Sequence, residues 1–194
     1  MKRAALIQRK TGEVEISGHL EIDGSGVSKI DTGLGFLDHM LASLSKHSSI
    51  DIELTAQGDT DVDDHHTVED CAIAIGEALA NALGDRAGIA RFGTAYAPLD
   101  EALARVVVDL SGRGWAEVTL SLQRETIGDV ATENLTHFFR SLAANGRLAI
   151  HVDVLRGDND HHKAEAAFKA AALALREAVS ETGSAAVPST KGKL

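Results

Sequence analysis

One histidine-rich pattern occurs twice in this chain, about half a chain length apart, and it constrains the fold more than any other feature. The copies are Asp64-His65-His66-Thr67-Val68-Glu69 and Asp160-His161-His162-Lys163-Ala164-Glu165. The two copies are offset by 96 residues, and the sequence around His39 recurs around His137, 98 residues later. Nearly equal offsets predict an internal duplication of roughly half the chain.

Each copy of the pattern opens a run of apolar residues at helical spacing, which predicts a helix. Residues four apart on a helix lie on nearly the same face, so the first histidine of each pair can act with the glutamate that follows it. The second histidine points about a quarter-turn away and is not easily brought onto the same ion by the same helix. Two tandem pairs therefore suggest two metal sites.

Periodicity and turn residues predict the order of the secondary-structure elements. Strands are expected at residues 4–8, 13–21, 50–56, 91–97, 102–110, 115–122 and 148–155. Helices are expected at residues 36–46, from the first histidine pair to about residue 84, at 134–144, and from the second pair to about residue 182. The predicted fold class is α+β, an internally duplicated pseudo-dimer in which two small mixed sheets pack with four helices between them.

The predicted organisation is a single compact domain built from two half-repeats. The first half-repeat covers residues 1–84, a join covers 85–90, and the second half-repeat covers 91–184. Residues 185–194 form a C-terminal tail that composition alone would describe as a frayed end.

Charge and composition exclude several classes of function. A formal net charge of −10 argues against a nucleic-acid surface and against binding to an anionic membrane. The single cysteine, Cys71, cannot form an intramolecular disulfide, and residues 1–10 contain no apolar run long enough for a signal peptide. The sequence therefore predicts a cytoplasmic protein.

Histidines in the repeated motifs provide a set of candidate metal ligands. Seven of the nine histidines belong to these motifs, namely His39, His47, His65, His66, His137, His161 and His162. Imidazole and carboxylate without thiolate suit manganese, iron or zinc. Pseudo-twofold symmetry predicts that each of two ions is bound by histidines from both repeats. The first ion takes His65, Glu69, His137 and His162, and the second takes His39, His66, His161 and Glu165, with positions left open for a ligand.

Several stretches together carry a family resemblance across nearly the whole chain. They are Phe36-Leu37-Asp38-His39-Met40-Leu41 with His47, Asp64-His65-His66-Thr67-Val68-Glu69-Asp70, His137-Phe138-Phe139-Arg140-Ser141, Asp160-His161-His162-Lys163-Ala164-Glu165 with Phe168-Lys169, and Pro188-Ser189-Thr190-Lys191-Gly192. In this order and spacing they closely resemble imidazoleglycerol-phosphate dehydratase of histidine biosynthesis. The chain has no room for the phosphatase domain fused to some members, so it resembles the single-function form.

The resemblance implies a carbon-oxygen lyase, a hydro-lyase that converts D-erythro-imidazole glycerol phosphate to imidazole acetol phosphate. It implies two Mn²⁺ ions per active site, held by the eight residues that the helical argument selects. It implies Glu13 and Glu165 as catalytic residues. The implied substrate-binding residues are Glu13, His39, His47, His65, Glu69, Arg91, Arg113, His161, Lys169, Ser189, Thr190 and Lys191. It also implies that the tail, residues 185–194, contributes to the site, and it implies a homo-oligomeric cage of 24 subunits with sites at subunit contacts.

The chemistry explains why such a reaction needs metal ions. The hydrogen is removed from a carbon that is not adjacent to a carbonyl, so the imidazole ring has to act as the electron reservoir. Two ions on the two ring nitrogens would favour the imidazolate, which can expel the neighbouring hydroxyl, and a base then takes the side-chain proton to give an enol that becomes the ketone.

Two other functions fit parts of the sequence. A dinuclear metal phosphoesterase shares the Asp-His-His pattern and the phosphate donors, but it needs several separated carboxylate motifs, whereas the ligands here are histidine-rich and symmetric. A non-catalytic metal-binding assembly protein would bind ions without turnover, but it leaves the phosphate donors and the tail motif unexplained.

Overall fold

The first half of the chain folds into a four-stranded sheet and two helices. In the computed structural model, which describes residues 3–194, its elements are β1 (Ala4–Lys10), β2 (Val14–Glu21), β3 (Ser28–Asp31), α1 (Gly35–Ser48), β4 (Asp51–Gly58) and α2 (His65–Leu83). The strand order is β1-β2-β4-β3, with β3 parallel to β4 and the other pairs antiparallel. Val14, Ile16 and Leu20 are buried on one face of β2, where the alternating pattern places them.

The second half repeats this topology and adds a small hairpin. Its elements are β5 (Phe92–Leu99), β6 (Ala102–Asp109), β7 (Trp115–Thr119), β8 (Thr126–Ile127), β9 (Val130–Ala131), α3 (Thr132–Gly146), β10 (Ala149–Arg156) and α4 (Asp160–Ala178). The strand order is β5-β6-β10-β7, with β7 parallel to β10, and β8 pairs only with β9. The expected α+β duplicated fold with two mixed sheets is therefore confirmed.

Each helix pair is formed between the two halves of the chain. Helix α2 covers β1 and β2 and packs against α3, whereas α4 covers β5 and β6 and packs against α1. The α2–α3 pair is very close at Gly76, where an added Cβ would lie 2.8 Å from the carbonyl oxygen of Leu142 and from the amide nitrogen of Gly146. Each helix pair thus contains one helix from each half, which is the arrangement needed to bring ligands of both repeats together.

Element boundaries differ from the sequence prediction in a few places. Helix α4 ends at Ala178 rather than near residue 182, and β7 ends at Thr119 rather than at 122. Strand β3 and the β8–β9 hairpin were not predicted, because these strands are only four and two residues long and show no apolar alternation. Cys71 is buried in the core. The half-repeat and join boundaries remain predictions, and residues 1 and 2 of the first half-repeat lie outside the described residues.

The C-terminal tail contacts the body of the protein, although composition alone would describe it as a frayed end. The amide of Gly88 donates to the carbonyl oxygen of Ala186 at 3.0 Å, and Arg91 Nη1 donates to the carbonyl oxygen of Pro188 at 2.8 Å. Composition could not predict this, because the contacts join segments about 97 residues apart.

No helix within residues 3–194 combines the length and the apolar character that crossing a bilayer requires.

Candidate metal centre

The first cluster lies between α2 and α3 and contains His65, Glu69 and His137. Glu69 Oε1 lies 2.9 Å from His137 Nε2, and Glu69 Oε2 lies 4.0 Å from His65 Nε2. The two imidazole rings are stacked, with centroids 4.9 Å apart. We call this group the α2–α3 cluster. It joins residues of both half-repeats, as the symmetry argument predicts.

The second cluster lies between α1 and α4 and contains His39, His161 and Glu165. Glu165 Oε2 lies 3.2 Å from the Nε2 atoms of both histidines. The ring of Phe36 packs edge-on against His161 at a centroid distance of 5.3 Å. We call this group the α1–α4 cluster. Its residues occupy positions equivalent, in the two repeats, to those of the α2–α3 cluster.

Local structure at the helix starts fixes the first turn of α2 and of α4. Asn159 is the N-cap of α4, and its side chain accepts hydrogen bonds from the amides of His161 and His162. Asp63 Oδ1 accepts from the amide of His65 at 2.8 Å. The histidine pairs therefore sit at ordered helix N-termini, and their glutamates follow one turn later on the same face.

Both clusters have the donor set of a transition-metal site. Among the described residues, these are two groups whose nitrogen and oxygen ligand atoms all lie within 4.8 Å of one another. Two imidazoles and one carboxylate suit a divalent first-row metal and leave coordination positions open. The residues present therefore fit a bound cation in each cluster.

The environment of Glu165 keeps this ligand ionised. Burial would raise the pKa of Glu165, but the hydrogen bonds from Lys169 and His39 outweigh it and lower the pKa to about 2. Lys169 Nζ lies 2.7 Å from Glu165 Oε1. Burial and the positive charge of Lys169 both lower the pKa of nearby His47. The predicted substrate-binding residues His47 and Lys169 therefore lie beside the α1–α4 cluster.

His66 and His162 are not brought into either cluster within one chain. His66 Nδ1 lies 3.0 Å from Asp59 Oδ2, and His162 Nδ1 lies 2.7 Å from Glu101 Oε2. These hydrogen bonds raise the pKa of both histidines. Their assignment to crossed metal positions therefore stays a prediction.

Glu101 has a dense set of hydrogen bonds at the start of α4. Its Oε1 accepts from the amides of Asp158 and Asn159 at 3.1 and 2.8 Å, and its Oε2 binds His162. Led by the bond from Asn159, these contacts lower the pKa of Glu101 to about 2. Glu101 therefore both fixes the turn before α4 and orients a candidate ligand.

The predicted acid or base Glu13 and the predicted phosphate ligands other than Lys169 lie apart from the two clusters. Glu13 Oε1 is 3.7 Å from His66 Nε2, and its side chain is 53% exposed. Arg91 forms a two-point ion pair with Asp109 in addition to its bond to Pro188, and Arg113 is exposed. Ser189, Thr190 and Lys191 lie in the tail. Within one chain, these groups do not form one pocket with the metal clusters.

Sequence reasoning missed the residues that form hydrogen bonds with the Nδ1 atoms of the candidate ligand histidines. Asn134 Oδ1 lies 3.0 Å from His65 Nδ1, and Asp59 and Glu101 do the same for His66 and His162. Metal-binding histidines usually have such partners on the second ring nitrogen, which fix the tautomer. No spacing rule marks them, because a histidine's second partner can come from any neighbouring loop.

Comparison with known proteins gives one consistent match. The sequence profile of the family described as imidazoleglycerol-phosphate dehydratase matches residues 32–175. A protein of that name from Phytophthora nicotianae is 58% identical over 192 residues, covering 99% of this chain and 42% of the Phytophthora protein. Another, from Salinibacter ruber, is 52% identical over 193 residues, covering 99% of this chain and 96% of its own length.

A solved structure agrees with these sequence relatives. The crystal structure of imidazoleglycerol-phosphate dehydratase from Staphylococcus aureus superposes with a TM-score of 0.83 at 41% identity. The match covers 92% of this chain and 99% of the Staphylococcus chain. Sequence and fold therefore lead to the same family.

Proposed function

Because this chain belongs to the imidazoleglycerol-phosphate dehydratase family, we propose that it dehydrates imidazole glycerol phosphate to imidazole acetol phosphate in histidine biosynthesis. The observation that carries the proposal is the pair of symmetry-related clusters, each with two imidazoles and one carboxylate. A substrate with a flat ring and two ring nitrogens is well matched to two such centres. A biosynthetic role of this kind sets the proposed activity in the cytoplasm.

We propose two Mn²⁺ ions per active site. The residues that would hold them are His39, His65, His66, Glu69, His137, His161, His162 and Glu165. The choice of manganese comes from the family resemblance, since mixed imidazole and carboxylate donors without thiolate suit iron and zinc as well. When bound, the pair of cations supplies electrophilic stabilisation of negative charge on the imidazole ring.

In their neutral form, His66 and His162 are oriented as a metal ligand needs. Their Nδ1 atoms donate to Asp59 and Glu101, so Nε2 is the nitrogen that keeps a lone pair for coordination. Neither reaches a cluster of its own chain, which supports sites completed by a second copy of the protein. Assembly into a homo-oligomer, with 24 subunits as the family resemblance implies, would supply that copy.

Glu13 is the proposed acid or base that moves the substrate proton. Its carboxylate is accessible, it precedes β2 at the tip of a hairpin, and it approaches the face of His66 that would hold a metal ion. A carboxylate in this position can take a proton from the substrate side chain and return it to the enol. Glu165, the second proposed catalytic residue, is instead held between Lys169 and two histidines.

The proposed phosphate clamp consists of arginine, lysine and hydroxyl groups, which are suitable donors for a dianion. The contact that supports it is the hydrogen bond from Arg91 to Pro188, because it holds the tail next to an arginine of the body. The tail residues Ser189, Thr190 and Lys191 follow directly. Arg113 and Lys169 complete the proposed set.

The decisive experiment is a ketone-product assay with imidazole glycerol phosphate and metal-stripped protein, run with and without added Mn²⁺. We expect turnover only when Mn²⁺ is present, with no release of inorganic phosphate. Phosphate release would favour a dinuclear phosphoesterase. Manganese binding with no conversion of the substrate would favour a non-catalytic metal-binding protein.

A further inference from the structure

The β8–β9 hairpin and its flanking residues connect parts of the molecule that carry the ligands of both clusters. We call residues 121–134 the bridging segment. Its two short strands are anchored in the core by Ile127 and Val130, whose side chains are 3% and 0% exposed. The hairpin tip is Gly128-Asp129, and Gly128 has a positive φ of 62°. The segment therefore has a defined conformation.

One end of the bridging segment is anchored to the start of α4. Asp160 Oδ2 accepts from the amides of Gln123 and Arg124 at 2.8 and 2.7 Å. Lys163 Nζ donates to Ser121 O and to Asp160 Oδ1, both at 3.0 Å. Asp160 and Lys163 are nearly fully buried, so this anchor is a desolvated ion pair directly beside His161.

The other end is anchored to the start of α2. Asp64 Oδ2 accepts from the amide of Ala131 at 2.9 Å, and Asn134 Oδ1 lies 3.0 Å from His65 Nδ1. The aspartate that precedes each histidine pair therefore holds the bridging segment. This gives both Asp-His-His motifs a second role, in which the aspartate is an anchor and the histidines are ligands.

The tip of the segment caps a third helix. Asp129 Oδ2 accepts from the amide of Gly35 at 2.6 Å, and Oδ1 accepts from the amide of Phe36 at 3.0 Å. The N-cap position of α1 is Leu34, which provides no side-chain cap. Asp129 thus supplies, from 94 residues away, the acceptor and the negative charge that a helix N-terminus favours.

We propose that Asp129 is a positioning residue that sets His39 against His161 and Glu165. His39 lies one turn after the amides that Asp129 binds, so a shift of this end of α1 moves the imidazole directly. The bridging segment takes its own position from α4 and α2, the helices that carry the other ligands. This inference rests on the proposed metal centre, and it assigns Asp129 a part in metal binding at the α1–α4 cluster alone.

The test measures Mn²⁺ binding to one cluster at a time. Chelator-stripped protein is titrated with Mn²⁺ by equilibrium dialysis in two backgrounds. Glu69→Ala disables the α2–α3 cluster, so the remaining binding reports the α1–α4 cluster, and Glu165→Ala does the reverse. Asp129→Ala and Asp129→Asn are then added to each background. The control is Asp85→Ala, which removes only an exposed turn bond to the amide of Ala87.

We expect Asp129→Ala to weaken binding at the α1–α4 cluster by about 10–100-fold, the usual effect of removing a group that orients a ligand. Binding at the α2–α3 cluster should not change. Asp129→Asn keeps one acceptor oxygen and should lose less Mn²⁺ affinity. If the alanine variant fails to fold, the asparagine variant still tests the inference. Asp85→Ala should leave both clusters unchanged.

Two results would overturn the inference while leaving the proposed function intact. One is an equal loss at both clusters, which would mean that Asp129 only stabilises the fold. The other is a lower unfolding temperature with unchanged Mn²⁺ affinity. If protein with intact residue 129 bound no Mn²⁺ at either cluster, the proposed metal centre itself would fail, and the inference with it.

Discussion

The two clusters have the same ligands on equivalent helices but different charges around them. In the α2–α3 cluster, the carboxylate of Glu69 faces two histidines and is 34% exposed. In the α1–α4 cluster, Glu165 is 13% exposed and forms an ion pair with Lys169. The position equivalent to Lys169, four residues after Glu69, is Ile73. The duplication therefore kept the candidate metal ligands and changed the charge beside them.

The hairpin tips differ in the same way. Glu13 precedes β2 and Glu101 precedes β6, so they occupy equivalent turns. Glu101 is committed to His162 and to two amides of its own chain, whereas Glu13 is half exposed with a single long contact to His66. The second repeat therefore has a carboxylate that is fully hydrogen-bonded within the chain, whereas the first repeat has a carboxylate that is accessible to a substrate. A symmetric scaffold can thus hold an asymmetric substrate.

The largest expected effect comes from removing either ligand carboxylate. Glu69→Ala and Glu165→Ala should each release one of the two ions and reduce kcat/KM by at least about 10²-fold, since each removes one electrostatic stabiliser. Metal content by mass spectrometry and the ketone assay measure both effects. Glu77→Ala, an exposed change two turns after Glu69, is the control. Full activity with one ion would break the equivalence of the two clusters.

Next in size is the contrast between the hairpin tips. Glu13→Gln should keep both ions and lower kcat by about 10²–10⁴-fold, the range for a lost acid or base. Glu101→Gln should instead weaken Mn²⁺ binding by about 10–100-fold, because it loosens His162, and excess Mn²⁺ should restore turnover. Metal titrations paired with kcat separate the two. Unchanged turnover in Glu13→Gln would remove Glu13 from the mechanism.

The proximity of the residues in each cluster could be predicted from sequence because two independent regularities coincide in them. The four-residue spacing places His65 with Glu69, and the duplication places His137 opposite them. The bridging segment has neither regularity. Asp129 reaches α1 across 94 residues from a hairpin with two-residue strands, so only the folded chain reveals the contact.

The proposed fourth ligand of each ion, His66 or His162, could not be placed from sequence in the same way. Helical geometry correctly predicts that the second histidine of each pair diverges from the first. It does not say which chain supplies the missing imidazole. A contact between copies leaves no periodic signal in one sequence, and the crossed assignment of His66 and His162 therefore stays a prediction.

The tail gives a smaller contrast, because only the second half-repeat is followed by one. Deletion of residues 188–194 should raise KM by about 10–100-fold, the worth of one or two hydrogen bonds to a charged group. The unfolding temperature should change little, because the tail adds few contacts to the core. Steady-state kinetics and thermal unfolding measure the two effects. Lys193→Ala is the control. A lower unfolding temperature with an unchanged KM would contradict the phosphate role.

The smallest expected effect is on metal affinity, and it tests the charge difference between the clusters directly. Lys169 places a positive charge on the ligand Glu165, which opposes a second cation at the same carboxylate. Lys169→Met should therefore strengthen Mn²⁺ binding at the α1–α4 cluster by about tenfold, or about 1.4 kcal/mol, and Ile73→Lys should weaken the α2–α3 cluster by a similar amount.

Lys169→Arg keeps the charge and should leave metal affinity unchanged, so it separates charge from packing. Because Lys169 is also a proposed substrate ligand, Lys169→Met should lower kcat/KM while tightening metal binding. Opposite changes in these two quantities are not expected from general damage to the fold, which would weaken both. Equal Mn²⁺ affinity in Lys169→Met and the unaltered protein would mean that the lysine charge does not reach the ion, and that the clusters differ only in substrate contacts.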